Sequence, residues 1–346
     1  MTRDVVHAGK IGTAVLITLE LLGALVLLVV ASDAFTNAVE WVGSIYGLTR
    51  SAMGSVVAAI GSSLPETMVA IVAILVLRDP ASQAVGIGAV LGAPFMLATV
   101  VFALIGLTAI VRRKMSDSGQ RLQANVQSAV FGLVLFGFTF ALAVGASFDP
   151  TPAVRSITAA LVLGAYVVHL IYHIRRKGAP AADRPPPLRL APRATHAPTY
   201  AVFGQLALAL VVTVAASHWF VTAVTAASAE VGVPPLVVSL FLSPIATELP
   251  EIMNVVLWMR RGLDDLAVGN VLGAMIFQTS VASAIGLLAT PWRLDVEAYV
   301  ACGATLLAVA LVLAVTSVRR RLDSRALAIC GIFYFAYISY MMVHGR

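Results

Sequence analysis

Apolar runs of about 18 or more residues recur along the whole chain, and runs of this length read as membrane-spanning helices. The pattern predicts spans over 11–46, 52–77, 82–111, 124–147, 152–174, 200–228, 235–258, 266–289, 296–318 and 325–343. Ten spans make an all-α polytopic membrane protein. The first, 36 residues long, exceeds what a perpendicular helix needs at about 1.5 Å per residue. It should tilt, bend or run partly along the interface.

Composition agrees with this picture. The chain is 60% hydrophobic and 12% charged, with a mean hydropathy of +0.93, which excludes a soluble globular protein. Its basic residues are scattered between spans, so the +6 net charge does not mark a nucleic-acid surface. Their distribution sets topology instead. Seventeen of the 23 Lys and Arg residues fall in one alternate set of loops, around Arg50, Arg112–Arg121, Arg175–Arg193, Arg260–Arg261 and Arg319–Arg325. The positive-inside rule then places those loops in the cytoplasm and both termini outside. Arginine outnumbers lysine and alanine is abundant, which points to a bacterial plasma membrane. No small-residue cleavage site follows the first apolar run, so no removable signal peptide is predicted. Cys302 and Cys330 both sit in apolar segments without metal-ligand spacing and are expected to be buried small side chains.

The chain repeats itself. Shifting it by 185 residues aligns Ala31–Glu66 on Ala216–Glu251 without a gap, with identity at ten of 36 positions. After a connection four residues shorter, Gly88-Ala89-Val90-Leu91-Gly92-Ala93 matches Gly269-Asn270-Val271-Leu272-Gly273-Ala274. A shared register over two segments is the mark of an internal duplication. The expected organisation is a first five-helix repeat over 1–177, a flexible cytoplasmic Pro/Arg linker over 178–198 and a second repeat over 199–346. Five spans per copy is an odd number, so the second copy enters the membrane from the opposite side. Inverted repeats of this kind place their substrate near the midplane, on interrupted helices.

Both copies contain Leu-Pro-Glu, at Leu64-Pro65-Glu66 and Leu249-Pro250-Glu251. A charged residue at the bilayer centre costs roughly 2.5–3.5 kcal/mol on insertion scales, so it persists where it is paired or lines a pathway. The adjacent proline removes a backbone donor and frees a carbonyl that can face a cation. A lone proline would read as a packing kink; the same Pro-Glu pair twice reads as an ion-handling element.

Gly61-Ser62-Ser63-Leu64-Pro65-Glu66 and Ala246-Thr247-Glu248-Leu249-Pro250-Glu251 resemble the two signature segments of the calcium/cation antiporter superfamily, the sodium/calcium exchanger membrane module, and Gly269-Asn270-Val271-Leu272-Gly273 resembles its second patch. The resemblance covers both halves in order. It implies ten helices in two inverted repeats, with ion sites at the centre of the second, third, seventh and eighth. It assigns cation ligation to Glu66 and Glu251, to the hydroxyl residues Ser62, Ser63 and Thr247, and to Asn270. Two positions depart from the family pattern. Ala89 stands where the first repeat would carry an amide, and Glu248 replaces a hydroxyl residue and adds a third acid.

Three ionised carboxylates in one dry cavity repel strongly and need cations or protons to neutralise them. Ca²⁺ offsets two charges and takes six to eight oxygens, which Glu66, Glu251, Ser62, Thr247, Asn270, freed carbonyls and water could supply. A third acid that takes up and releases a proton suits proton exchange. The expected function is export of Ca²⁺ against Na⁺ or H⁺ by alternating access, with a monovalent Na⁺ or K⁺/H⁺ exchanger as the alternative. Transported ions are the expected ligands, with no cofactor, and the chain is expected to work as a monomer or weak dimer. An intramembrane enzyme is disfavoured because no Ser–His, paired-Asp or zinc-ligand constellation occurs in the spans. Remaining polar residues carry weaker expectations. Asn254 and Gln278-Thr279-Ser280 either line the ion path or, as the favoured expectation, hydrogen-bond between helices; Glu20 is a candidate outer-gate or proton-path residue; Asp33 and Asn37 are candidate gating contacts, with solvation favoured; His169 and His173 have metal-compatible spacing but should lie at the membrane interface; Asp264 and Asp265 could attract cations but are expected to form a solvated turn.

Overall fold

The computed structural model describes residues 2–47, 56, 59–115, 122–175, 185–193 and 197–344. The described regular structure is helical throughout. In chain order the helices are α1 (Thr2–Ile45), α2 (Ala59–Leu77), α3 (Pro80–Arg113), α4 (Val126–Gly145), α5 (Pro152–Arg175), α6 (Thr199–Val231), α7a (Pro235–Thr247) and α7b (Leu249–Arg260), α8 (Asp264–Ala289), α9 (Val296–Arg319) and α10 (Ser324–His344). Among the described residues nine helices are long and apolar enough to cross a bilayer. The remaining predicted span falls on α7a and α7b, 13 and 12 residues long and set end to end.

Local chemistry sets the boundaries. Asp79 starts α3 by accepting the Ser82 N–H at 3.0 Å, with Pro80 as the first helical residue; Asn125 caps α4 by accepting from Ser128 N at 2.9 Å. Gly47 and Gly232 follow α1 and α6 with φ of 62° and 73°. They are equivalent under the 185-residue shift, so this repeated identity records a left-handed helix end that glycine adopts without strain.

The packing is two-fold in character. α1 lies along α6, and α4 along α9. α3 packs on α7a and α10, while its counterpart α8 packs on α2 and α5. Exchanging the two repeats leaves this set of partners unchanged, as inverted five-helix repeats require. The contact between α3 and α7a is unusually close. A Cβ on Gly88 would stand 2.3 Å from the Leu236 carbonyl oxygen, and one on Gly92 would stand 2.4 Å from that of Leu240. Pro244, four residues on, has no N–H to offer the Leu240 carbonyl. Only a glycine lets α3 approach that freed oxygen.

Two further irregularities repeat. Helix α3 widens into a π-helical turn at Leu97–Val101, and α8 does so at Gln278–Ala282. These segments are equivalent under the 181-residue shift that aligns the second motif. Single π-turns inside α-helices occur often at functional positions.

Candidate functional site

Glu248 is the residue at which α7 breaks: it ends α7a and immediately precedes α7b. Its backbone stays close to helical (φ −85°, ψ −6°), with its N–H on Pro244 O and its carbonyl accepting from Ile252 N, both at 2.9 Å. Glu248 and Glu251, three residues apart, therefore remain on one side of the broken helix. Pro65 interrupts α2 from within, one residue before Glu66.

The structure buries all seven residues singled out from the sequence. Glu66 is 4% exposed, Glu248 0%, Glu251 1% and Asn270 0%; Ser62, Ser63 and Thr247 are equally enclosed. The Glu66 carboxyl faces Glu248, Glu251 and Thr247, and Ser62 faces Glu251. Asn270 Nδ2 donates to Glu251 Oε1 at 2.6 Å. Thr247 donates to Ser243 O at 2.9 Å, and Ser62 lies 3.4 Å from Ala59 O. The cluster thus joins α2, both halves of α7, and α8.

One neighbour was not among the ligands assigned from the sequence. Gln278 Nε2 donates to Glu248 Oε1 at 3.0 Å, so the interhelical bond expected of Gln278 falls on the third acid. It lies eight residues, about two turns, beyond Asn270 on α8. Repeat symmetry holds the clue: the first-repeat equivalents of Asn270 and Gln278 are Ala89 and Leu97. Both are fully buried among apolar neighbours. The site is consequently lopsided, with two amides from α8 and none from the matching positions of α3.

Several oxygens in this cluster lack a hydrogen-bond partner: both of Glu66, Oε2 of Glu248 and Glu251, Oδ1 of Asn270, Oε1 of Gln278 and the Ser63 hydroxyl. Buried carboxylate oxygens are costly unless satisfied. An all-oxygen donor set of this kind suits a hard cation or protons and does not suit soft metals. Among the described residues no three His, Cys, Asp or Glu side chains are drawn together at metal-coordinating distance. Amide, hydroxyl and main-chain oxygens must complete any cation shell here.

Elsewhere the structure corrects two expectations. Asp264 does not lie in a solvated turn. It is 1% exposed and receives Arg112 Nη1 at 2.6 Å and the Gln123 N–H at 2.8 Å, which ties the end of α3 and the start of α4 to the head of α8. His169 and His173 are buried on α5 beside Phe131 of α4. Residues 185–193 of the linker are fixed against α1 and α6, with Asn37 buried beneath them. Both cysteines are free and buried, as the sequence implies.

Comparison with known proteins bears on what such a site does. The family described as sodium/calcium exchanger protein matches residues 16–175 and 201–344. The inner membrane protein YrbG of Escherichia coli (strain K12) is 27% identical over 310 residues, covering 88% of this chain and 90% of that protein. The putative antiporter CaxA of Alkalimonas amylolytica is 26% identical over 321 residues, covering 88% and 92%. In fold, the chain is similar to the crystal structure of the H⁺/Ca²⁺ exchanger CAX, with a TM-score of 0.68 at 13% identity over 94% of this chain and 88% of that one. It is also similar to the sodium-calcium exchanger NCX_Mj, with a TM-score of 0.61 at 18% identity over 94% and 98%.

Proposed function

Because this chain belongs to the sodium/calcium exchanger protein family, we propose that it is a secondary-active antiporter that exports Ca²⁺ in exchange for Na⁺ or H⁺ by alternating access. One observation carries the reading. Three carboxylates and two amides are buried together where the interrupted α2 and α7 meet α8. Glu66 and Glu251 would bind the transported cation, with Asn270, Gln278, Ser62, Ser63, Thr247 and freed carbonyls as further oxygen ligands. Pro65 frees the carbonyl of Gly61 for this purpose.

Charge supports the choice of ion. Ca²⁺ offsets two of the three carboxylates, and Glu248 is the one left over. Of the two counter-ions the site favours H⁺. Several Na⁺ ions would each need their own oxygens, and α3 supplies Ala89 and Leu97 where α8 supplies amides. In this reading the repeats span 1–177 and 199–346, joined by 178–198, in a bacterial plasma membrane with both termini outside.

The test is ⁴⁵Ca²⁺ uptake into proteoliposomes under an imposed H⁺ gradient and, separately, a Na⁺ gradient. Uptake driven by the H⁺ gradient is expected. Uptake driven only by Na⁺ would reassign the counter-ion. No uptake under either gradient would remove Ca²⁺ from the account and leave monovalent cation exchange in its place.

A further inference from the structure

α1 and α6 lie side by side and antiparallel, and their two ends differ in a way the repeat symmetry does not require. At one end Gln205 of α6 is 2% exposed and inserts against α1, where its Nε2 donates to Ala34 O at 2.8 Å and Asn37 Oδ1 at 3.0 Å. The segment 185–193 lies across this junction. Pro186 O accepts from Asn37 Nδ2 at 3.2 Å and from Trp41 Nε1 at 2.9 Å. Arg189 N donates to Asn37 Oδ1 at 3.2 Å, and Leu190 N donates to Gln205 Oε1 at 2.8 Å. Leu188 is fully buried between Trp41 of α1 and Val202 of α6. Arg189 adds an ion pair to Asp33 at 2.9 Å, exposed on both sides and therefore a minor contributor.

Among the described residues the other end shows no such fastening by a third segment. Under the 185-residue shift the counterparts of Gln205, Asn37 and Asp33 are Glu20, Thr222 and His218. Thr222 Oγ1 turns back to carbonyls of its own helix, at His218 and Trp219. There the helices meet through Gly23, where a Cβ would stand 2.5 Å from the Trp219 ring. One end is joined by part-buried hydrogen bonds through a third segment, whereas the contact described at the other end is apolar packing. Buried polar groups demand their partners, whereas apolar surfaces slide and repack at lower cost.

We infer that residues 185–193 form a latch that fastens α1 to α6 at one membrane face only. The pair is then hinged at the latched end and free to part at the Gly23–Trp219 end. The linker between the repeats is in this respect a working part of the fold, with Asn37 and Gln205 as its positioning residues. The inference does not depend on which cation the protein carries.

The test measures distances between spin labels by double electron–electron resonance on the full chain in nanodiscs, in a Cys302→Ala, Cys330→Ala background. One label pair, Ser44→Cys with Tyr200→Cys, reports the latched end; the other, Thr18→Cys with Ala226→Cys, reports the opposite end. All four positions are exposed. The expected result is a narrow distribution at the latched end that broadens to longer distances with Gln205→Leu or Leu188→Asp. The Thr18–Ala226 distribution should keep its wild-type mean in both variants, which separates a lost latch from misfolding. Cutting the chain at a protease site introduced within 178–184 should leave the latched distance unchanged, because contacts and not covalent continuity hold it. A latched-end distribution unaffected by Gln205→Leu and Leu188→Asp would overturn the inference. So would one that broadens on cutting alone.

Discussion

Gly92→Ala tests whether the close contact between α3 and α7a is what holds the site in shape. The added Cβ would stand 2.4 Å from the Leu240 carbonyl oxygen, 2.8 Å from Pro244 Cγ and 3.0 Å from Leu240 C. Real Cβ···O contacts need about 3.4 Å, so the helices must separate by roughly 1 Å, and a main-chain wall cannot step aside as a flexible side chain can. Overpacking of this kind costs typically 1–3 kcal/mol. Against it stands a gain in helix propensity of up to about 1 kcal/mol. The net is a loss of up to about 2 kcal/mol, together with a shift of α7a just before the break at Glu248. Gly303→Ala is the matched control: nothing lies within 4 Å of its Cβ position, so only the propensity gain applies. Thermal unfolding of the purified protein in detergent, paired with ⁴⁵Ca²⁺ uptake, reads both effects. Gly92→Ala should melt lower and transport more slowly, while Gly303→Ala should melt at or above wild type. A Gly92→Ala protein as stable and active as wild type would refute the reasoning.

Other outcomes follow from individual side chains. Asp264→Asn should destabilise the fold by about 3 kcal/mol, because it strands the Arg112 guanidinium, which is 18% exposed; the double change Arg112→Leu, Asp264→Leu should be milder than either single one in the same unfolding assay. Gln278→Leu removes an oxygen and the donor to Glu248, and should raise the Ca²⁺ concentration for half-maximal uptake about tenfold, or about 1.4 kcal/mol. Asp323, between α9 and α10, is raised by partial burial but lowered by more through Arg319 and the N–H groups of Arg325 and Ala326, leaving it below its ordinary 3.8. A carboxylate lowered by folding stabilises the fold above its unfolded value and loses that contribution as pH falls through the folded one. The thermal midpoint of wild type should therefore drop more than that of Asp323→Asn between neutral pH and about pH 3.

Much of this architecture was legible because lipid imposes a simple rule on sequence. Nine of the ten predicted spans fall on described helices long and apolar enough to cross a bilayer, the seventh falls on the broken pair α7a and α7b, and the repeat register placed both Pro-Glu motifs. The same register explains Gly47 and Gly232 once their positive φ is known. What escaped was chemistry that depends on distant partners. Asp264 reads as a surface acid until Arg112, 152 residues earlier in the chain, is folded onto it. Gln278 reads either as a path-lining residue or as a helix-to-helix hydrogen bond until Glu248 is found opposite. The Pro/Arg composition of the linker suggests flexibility, yet Leu188 and the backbone at Pro186 and Arg189 find fixed places against α1 and α6. Composition describes what a segment prefers alone, and these residues are held by what they meet.

The central claim is that the buried carboxylates bind the ion that crosses the membrane. Its most direct test is gradient-driven ⁴⁵Ca²⁺ uptake by Glu66→Gln and Glu251→Gln in proteoliposomes, with folding verified by thermal unfolding of the same preparations. Each change keeps the size of the side chain and removes its charge. Folded variants that no longer take up Ca²⁺ are the predicted result; uptake at the wild-type rate by either one would contradict the account.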